Sequence, residues 1–244
     1  MRAHSRRPPR ASLRRSFRLF RLFLVEQTRP ADFYSALADD AVRQLAGWVE
    51  LSGARVLDVG GGPGYFARAF GQAGARYVGV ELDIGGDLPA EGFAVCASGY
   101  ALPIRSGSVD VAYSSNVVEH LGRPWRMADE LVRVTKPGGT VFVSFTPWLS
   151  PWGGHETAPW HYLGGDYARR RYLRRTGHEP KNAFGRSLFG HRVSQALAWA
   201  RTHPDAELVA AFPRYHPWWA CWLVRVPVLR EVALWNLAMV LRKR

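Results

Sequence analysis

The stretch VLDVGGGPGYFARAF, residues 56–70, constrains the fold more than any other part of the sequence. It puts four glycines and a proline between an apolar run and an amphipathic run, which predicts a strand that turns sharply into a helix. Glycines in such a turn bring the backbone close to a ligand and adopt φ angles that a Cβ would strain. Tyr65 stands where a dinucleotide fingerprint needs its third glycine, and the stretch lacks the lysine of a P-loop, so neither phosphate motif fits.

Strands and helices alternate around this turn. The pattern predicts strands over residues 55–60, 76–82, 92–98, 108–116 and 140–146, with helices over 31–52, 64–74 and 124–136. A helix over 192–202 and a strand over 206–212 follow, and the final run over 231–243 suits either a helix or a strand. This alternation predicts an α/β fold with a doubly wound, mostly parallel sheet. Its ligand crevice is expected at the carboxyl ends of the strands, near Gly60, Glu81 and Asn116.

Two acids flank the predicted crevice. Asp58 precedes the glycines, and Glu81 ends the second predicted strand. A carboxylate at the head of the turn would repel a phosphate, but it suits a ligand that carries an ammonium or sulfonium group. Glu81 is placed to accept hydrogen bonds from a ribose diol.

Four motifs in this order resemble the class I S-adenosylmethionine-dependent methyltransferases. They are VLDVGGGPG, VGVELD, ASGYALPIRSGSVDVAYSSNVVEHL and RVTKPGGTVFVS, and the likeness is dense over residues 54–145. It is nearest to the small-molecule branch, and the whole chain resembles a group of uncharacterised bacterial methyltransferases. The resemblance implies an enzyme, a Rossmann-like seven-stranded sheet and S-adenosyl-L-methionine as the cofactor.

The resemblance also implies a set of cofactor-binding residues. They are Asp58, Gly60, Gly62, Gly64, Tyr65, Glu81, Leu82, Ser98, Gly99, Tyr100, Asn116 and Val117. The sequence departs from the family at Ser98, where the family has an aspartate that contacts adenine. We therefore expect the backbone of Gly99 and Tyr100 to carry more of that contact.

Methyl transfer to an oxygen or carbon acceptor needs a base, and histidine is the usual choice near neutral pH. Our candidates for catalysis are His120, just past the fourth strand, and His155, Glu156 and His161, beyond the fifth. Each histidine also has a structural interpretation: a hydrogen bond at a helix start for His120, and loop packing for His155 and His161. The cluster of His155, Glu156 and His161 is too weak a pattern to predict a metal, so we predict none.

The chain has a formal net charge of +13, and residues 1–21 hold eight arginines and no acid. We predict a basic amphipathic arm over residues 1–30, with Leu13, Phe17, Phe20 and Leu24 on one helical stripe. A single methyltransferase domain is expected over 31–244, with 147–190 as an insertion on the substrate side. A disordered cationic extension is the alternative for the arm.

Eight of the ten tryptophans follow residue 147, and we expect most of them to pack in the core. Their mixture with arginine also suits an anionic membrane surface and a lipid-linked or other small-molecule acceptor.

An RNA methyltransferase and a catalytically silent cofactor-binding protein are the competing hypotheses. RNA is disfavoured because no appended RNA module is recognisable, and no DNA partner is expected. No apolar run approaches the ~20 residues that cross a bilayer, so we expect a cytoplasmic protein, with peripheral binding to the inner face of the membrane as the surface hypothesis.

Overall fold

The computed structural model describes residues 11–26, 28–82 and 93–244. Its helices are α1 (Leu13–Leu24), α2 (Pro30–Ala46), α3 (Tyr65–Gln72), α4 (Pro124–Val134), α5 (Gly165–Thr176), α6 (Val193–Thr202) and α7 (Pro227–Val232). Its strands are β1 (Arg55–Val59), β2 (Arg76–Glu81), β3 (Phe93–Cys96), β4 (Val109–Ser115), β5 (Thr135–Phe145), β6 (Ala206–Pro213) and β7 (Leu237–Lys243). Short 3-10 helices cover Val118–His120, His155–Thr157, Trp160–Leu163 and Trp218–Arg225.

The strands form one seven-stranded sheet in the order β3-β2-β1-β4-β5-β7-β6. The neighbours from β3 to β5 pair in parallel, whereas β7 runs antiparallel to both β5 and β6. The prediction of a doubly wound, mostly parallel sheet is confirmed. The strand order changes direction between β1 and β4, which places the ligand crevice of such folds at that junction.

Helices cover both faces of the sheet, which explains why β1 and β4 are buried nearly throughout. One apolar core joins the sheet to α4 and α6, and a second joins the opposite face to α2 and α3. The final run proves to be two elements, because the short helix α7 ends before β7 enters the gap between β5 and β6. Helix α2 ends at Ala46, six residues before the predicted boundary at 52.

The N-terminal arm contributes a helix that packs on the domain. Arg15 of α1 forms two hydrogen bonds to the carboxylate of Asp40 on α2, at 2.6 and 2.5 Å. Asp40 is buried, so this ion pair fixes α1 against α2. Residues 13–24 form a helix, so the alternative of a disordered extension does not hold for them. For residues 1–10 it stays a prediction, because they lie outside the described residues.

The predicted apolar stripe of the arm is divided between solvent and the domain. Leu13, Phe17 and Leu24 are exposed, but the ring of Phe20 packs against Trp152 and Trp235, at centroid distances of 5.9 and 5.1 Å. The side of α1 that faces the protein also carries Leu19, which is buried, and Phe23, which packs against the core. The helix therefore has one apolar face on the domain and a second one toward solvent.

The tryptophans after residue 147 are less buried than we expected. Four are exposed and four are half-buried: Trp160, Trp218, Trp219 and Trp222 in the first group, and Trp148, Trp152, Trp199 and Trp235 in the second. The expectation of a tryptophan-rich core is therefore wrong. None of the helices in the described part of the chain has the length and hydropathy that crossing a bilayer requires.

Candidate active site

The glycine turn joins β1 to α3 with three residues in the left-handed region. The φ angles are +81° at Gly60, +68° at Gly62 and +94° at Gly64. A Cβ on Gly60 would lie 2.3 Å from Cγ2 of Val117, so the turn packs directly against the loop that follows β4. A Cβ on Gly62 would meet no described atom within 4 Å, so that position faces open space in the crevice.

Asp58 lies beneath this turn and is fully buried. Its Oδ2 accepts a hydrogen bond from the hydroxyl of Tyr77 at 2.9 Å, whereas Oδ1 has no partner among the described residues. Burial raises the pKa of Asp58 to about 8, against the opposing effect of the Tyr77 hydrogen bond. The unpartnered oxygen of this buried acid is an acceptor that an ammonium group would satisfy, and a positive charge beside it would favour the ionised form.

Glu81 reaches the turn from the end of β2. Its Oε1 accepts a hydrogen bond from the backbone N–H of Gly62 at 2.6 Å. Partial burial raises the pKa of Glu81, and the hydrogen bond from Gly62 lowers it. The acid and the glycine turn, which are 19 residues apart in sequence, thus meet at the same edge of the sheet.

Helix α3 points its N-terminus into the same crevice. Its N-cap is Gly64, which has no side chain to cap the first backbone N–H groups. Tyr65, the first residue of the helix, stacks on Tyr34 of α2 with ring centroids 6.0 Å apart. Helix α2 therefore covers this end of the turn, and the uncapped N–H groups suit a carboxylate.

The remaining predicted cofactor residues have the following surroundings in the fold. Leu82 is exposed, Ser98 accepts a hydrogen bond from the backbone N–H of Tyr100 at 3.2 Å, and Gly99 packs between Val59 and Met127. Asn116 has a φ of +58°, and its Oδ1 accepts from the amide of Asn236 at 2.8 Å.

These observations fit S-adenosylmethionine, which offers an ammonium, a carboxylate and a ribose diol to the groups described. The open space at Gly62 and the unpartnered oxygen of Asp58 are the features that a bound ligand would fill. The individual contacts remain predictions.

A second group of polar side chains follows β4. Glu119 is only 1% exposed, and its Oε1 accepts a hydrogen bond from the backbone N–H of Thr146 at 3.0 Å. Burial raises the pKa of Glu119, and the neighbouring His120 opposes that rise. The rings of His120 and His155 lie close, with centroids 5.2 Å apart, so the structure brings two of the candidate histidines together.

His155 is held in an unusual backbone conformation, with a φ of +48°. Burial lowers its pKa to about 4, which leaves the ring neutral at physiological pH. His120 donates a hydrogen bond from Nδ1 to the carbonyl of Ser187 at 2.7 Å, which leaves Nε2 with a free lone pair. A neutral imidazole nitrogen is a ligand that a cation can bind.

The other two catalytic candidates have structural partners. His161 is buried, and its Nε2 contacts the carbonyl oxygen of Ser150 at 3.0 Å. Glu156 is exposed and accepts a hydrogen bond from the side-chain amide of Asn182 at 2.9 Å. Both contacts hold the segment 147–190 in shape, and a catalytic role for either residue stays a prediction.

An apolar cavity opens beside this group at the carboxyl end of β5. It is partly open to solvent and has about 70 Å³ of space that the centres of water-sized molecules can occupy. Its lining comes from four parts of the chain: Leu19, Phe20, Phe23, Phe33, Leu37, Thr146, Trp152, Tyr215 and Trp235. Helix α1 supplies three of these residues, so the arm forms a wall of the cavity. Sequence reasoning missed this wall, because it treated the arm as separate from the domain.

Sequence reasoning also missed a buried arginine directly after β6. Arg214 is fully buried, and its guanidinium donates to the hydroxyls of Ser115, Ser144 and Tyr113. Arg214 attracts the charge of Asp58 and so opposes the rise in the pKa of that acid. Its position in a run of tryptophan and proline carries no periodic signal that could have predicted burial.

Comparisons with known proteins agree with this geometry. A family model described as a methyltransferase domain matches residues 57–143. An uncharacterized methyltransferase of Mycobacteroides abscessus is 50% identical over 256 residues, covering 96% of each chain, and one of Mycolicibacterium gilvum is 52% identical over 246 residues with the same coverage. The solved structure of an S-adenosylmethionine-dependent methyltransferase from Mesorhizobium loti is similar in fold, with a TM-score of 0.52 at 20% identity over 83% of this chain and 96% of that one.

Proposed function

The chain belongs to the S-adenosylmethionine-dependent methyltransferases, and from that premise we propose that it methylates an apolar, lipid-like small molecule at the surface of an anionic membrane. The observation that carries this proposal is the apolar cavity beside the crevice, one wall of which is a helix with exposed apolar and basic side chains on its other side.

S-adenosylmethionine, when bound, supplies a methyl group that is already activated on a sulfonium sulfur. The protein then has to bind and orient the two reactants. Gly60, Gly62 and Gly64 bring the backbone to the ligand, while Asp58 would accept from its ammonium group and Glu81 from its ribose diol. The uncapped N-terminus of α3 would face its carboxylate.

The cavity lining supports an apolar acceptor. Among its side chains only Thr146, Tyr215 and the two indole N–H groups of Trp152 and Trp235 carry polar atoms. A charged or highly hydroxylated acceptor would lose its hydration there without gaining partners, which is unfavourable. Tyr215 also approaches the side chain of Asn116, a predicted cofactor residue, at 3.5 Å, so the cavity and the crevice are adjacent.

The outer face of α1 supports binding to an anionic surface. Leu13, Phe17 and Leu24 are 54%, 61% and 61% exposed, and Arg14, Arg18 and Arg21 are exposed on the adjoining stripe of the helix. An amphipathic helix with this pattern lies in the plane of a bilayer interface and gains from anionic headgroups. The other face of the same helix lines the cavity, so a lipid-like acceptor would have a short path from the membrane.

The 3-10 helix Trp218–Arg225 extends this surface. The backbone N–H of Trp218 donates to the carbonyl of Ala11 at 2.8 Å, so the helix adjoins the start of α1. Trp218, Trp219 and Trp222 are each roughly half exposed. Indole rings with one wet and one apolar side are enriched at the headgroup level of membranes.

Flotation with vesicles tests the surface. Full-length protein should float with vesicles of phosphatidylglycerol and phosphatidylcholine, and much less with phosphatidylcholine alone, since the arginines need anionic headgroups. Phe17→Ser should reduce flotation, whereas Leu173→Ser, which changes an exposed leucine on α5, should not. The surface proposal fails if the protein stays unbound with every vesicle, or if both variants lose binding equally.

A labelling experiment tests the acceptor. The purified enzyme is incubated with methyl-labelled S-adenosylmethionine and a total extract of cells, which is then partitioned between chloroform and water. Label in the chloroform phase supports an apolar acceptor, and Trp152→Ala, which removes part of the cavity lining, should lower it. Label confined to the aqueous phase or to RNA would contradict the proposal.

A further inference from the structure

Three side chains that could bind a metal ion lie close together past the carboxyl ends of β4 and β5. Glu119, His120 and His155 each offer one ligand atom, and these atoms all lie within 4.8 Å of one another. Glu119 and His120 belong to the 3-10 helix Val118–His120, and His155 begins the one at His155–Thr157. The grouping therefore depends on two separate loops meeting.

The cluster contains two buried polar atoms without partners. Oε2 of Glu119 and Nε2 of His155 have no hydrogen-bond partner in the part of the chain that the structure describes. Leaving a buried polar group unpartnered costs about 1–3 kcal/mol, and more for a charged one. A cation between these atoms would remove that cost for both.

The surrounding loops hold the ligand atoms in place. The left-handed φ of His155 is strained for a side chain of this size, and two tightly packed glycines precede it. A Cβ on Gly153 would lie 2.0 Å from the carbonyl oxygen of Trp148, and one on Gly154 would lie 2.6 Å from the ring of His161. The hydrogen bond from Nδ1 of His120 to Ser187 fixes that ring and leaves Nε2 for a ligand bond.

We propose that Glu119, His120 and His155 bind one divalent first-row cation, with Zn²⁺ and Mn²⁺ as the best candidates, and that this cation holds a hydroxyl oxygen of the methyl acceptor. Two imidazoles and a carboxylate favour such ions over Mg²⁺ and Ca²⁺, which prefer oxygen ligands. Three protein ligands leave coordination positions open, as in catalytic metal sites. Ligands about 2.1 Å from an ion lie roughly 3–4 Å apart, so binding needs an inward movement of about 1 Å.

The position of the cluster links the cation to the acceptor. Thr146 donates its backbone N–H to Glu119 and also lines the apolar cavity, so the ion would lie at the edge of that cavity. A hydroxyl bound to the ion loses its proton to water more readily, because the positive charge lowers its pKa. The acceptor is then an apolar molecule with a hydroxyl group. This statement about the acceptor rests on the proposed function, whereas the cation site itself does not depend on it. This proposal differs from our sequence-based prediction of no metal.

Direct binding tests the cation site. Untagged full-length protein is treated with chelator, freed of it, and titrated with Zn²⁺ and separately with Mn²⁺ by calorimetry, with bound Mn²⁺ also counted by electron paramagnetic resonance. One ion per chain is expected. Glu119→Gln keeps an oxygen for the Thr146 hydrogen bond, so it should fold, and it should weaken binding by about tenfold or more.

Matched controls decide how the result is interpreted. His155→Gln should weaken binding as Glu119→Gln does, whereas His178→Gln and Glu207→Gln change exposed residues outside the cluster and should bind like the parent protein. Absence of stoichiometric binding, or equal weakening in the controls, would overturn the cation site. Binding of S-adenosylhomocysteine is measured in parallel: if it is normal while the cation fails to bind, the proposed function stands and only this inference falls.

Discussion

Replacing Gly62 by alanine should separate the two tasks of the glycine turn, which are folding and ligand binding. The added Cβ would meet no described atom within 4 Å, so it causes no collision within the protein. It would, however, occupy space in the crevice where the proposed ligand lies. Gly53→Ala is the matched control, because Gly53 has a similar φ of +72°, equally open surroundings and a position at the opposite end of β1.

The cost to stability follows from the backbone alone. A non-glycine residue in the left-handed region costs about 1–2 kcal/mol, and the loss of chain entropy in the unfolded state offsets about 0.4–1 kcal/mol of that. Both variants should therefore lose about 1 kcal/mol, which corresponds to a Tm lower by about 2–4 °C for a chain of this size. Thermal unfolding followed by circular dichroism measures it.

The affinity for S-adenosylhomocysteine, measured by calorimetry, should distinguish the two variants. We expect Gly62→Ala to lose at least about 1.4 kcal/mol of binding free energy, a factor of ten, and Gly53→Ala to bind like the parent. Equal affinity in both variants would refute the placement of the ligand over Gly62. A loss of stability in Gly53→Ala that is much larger than the expected backbone cost would refute the estimate of that cost.

Gly60→Ala extends the series. Its Cβ would lie 2.3 Å from a methyl group of Val117, a stiff β-branched side chain, so this variant should lose clearly more stability than Gly62→Ala. Val117→Ala in the same chain should restore the part that comes from the collision and leave the backbone cost. No recovery in the double variant would show that the collision is not the cause.

Two further predictions concern buried charges. Burial raises the pKa of Asp58 to about 8, so between about pH 4 and 8 the folded state holds a proton that the unfolded state releases, and stability falls as the pH rises through that window. Asp58→Asn should remove this contribution, so its Tm relative to the parent should rise from pH 5 to pH 8; a constant difference would contradict the raised pKa. Arg15→Ala should cost about 2–3 kcal/mol because it leaves Asp40 buried and unpaired, and Asp40→Asn in the same chain should recover part of it, as measured by urea unfolding.

The glycine turn and the sheet were predictable because their causes are local. Gly60, Gly62 and Gly64 adopt the left-handed conformations that their lack of a Cβ permits, and the alternation of apolar strands with amphipathic helices fixes a doubly wound sheet. The meeting of Glu81 with the turn also followed, because the carboxyl ends of parallel strands share one edge.

The cluster of Glu119, His120 and His155 was predictable only in part. His120 and His155 were both named from the sequence, but nothing in their spacing showed that their rings would be neighbours or that Glu119 would be buried between two loops. Arg214 gave no signal, because a single arginine in an irregular segment is exposed in most proteins. These features depend on where distant segments meet.

The sequence by itself determined the sheet, the left-handed turn and the acids beside it, since each follows from residue type and short-range spacing. Only the tertiary structure decided which face of α1 packs against the domain, because Phe20 and Phe23 find partners in Trp152 and Trp235, which lie far away in sequence. The same long-range packing created the apolar cavity and left Oε2 of Glu119 without a partner among the described residues. Burial depends on how the whole chain packs, so the periodicity of one segment cannot predict it alone.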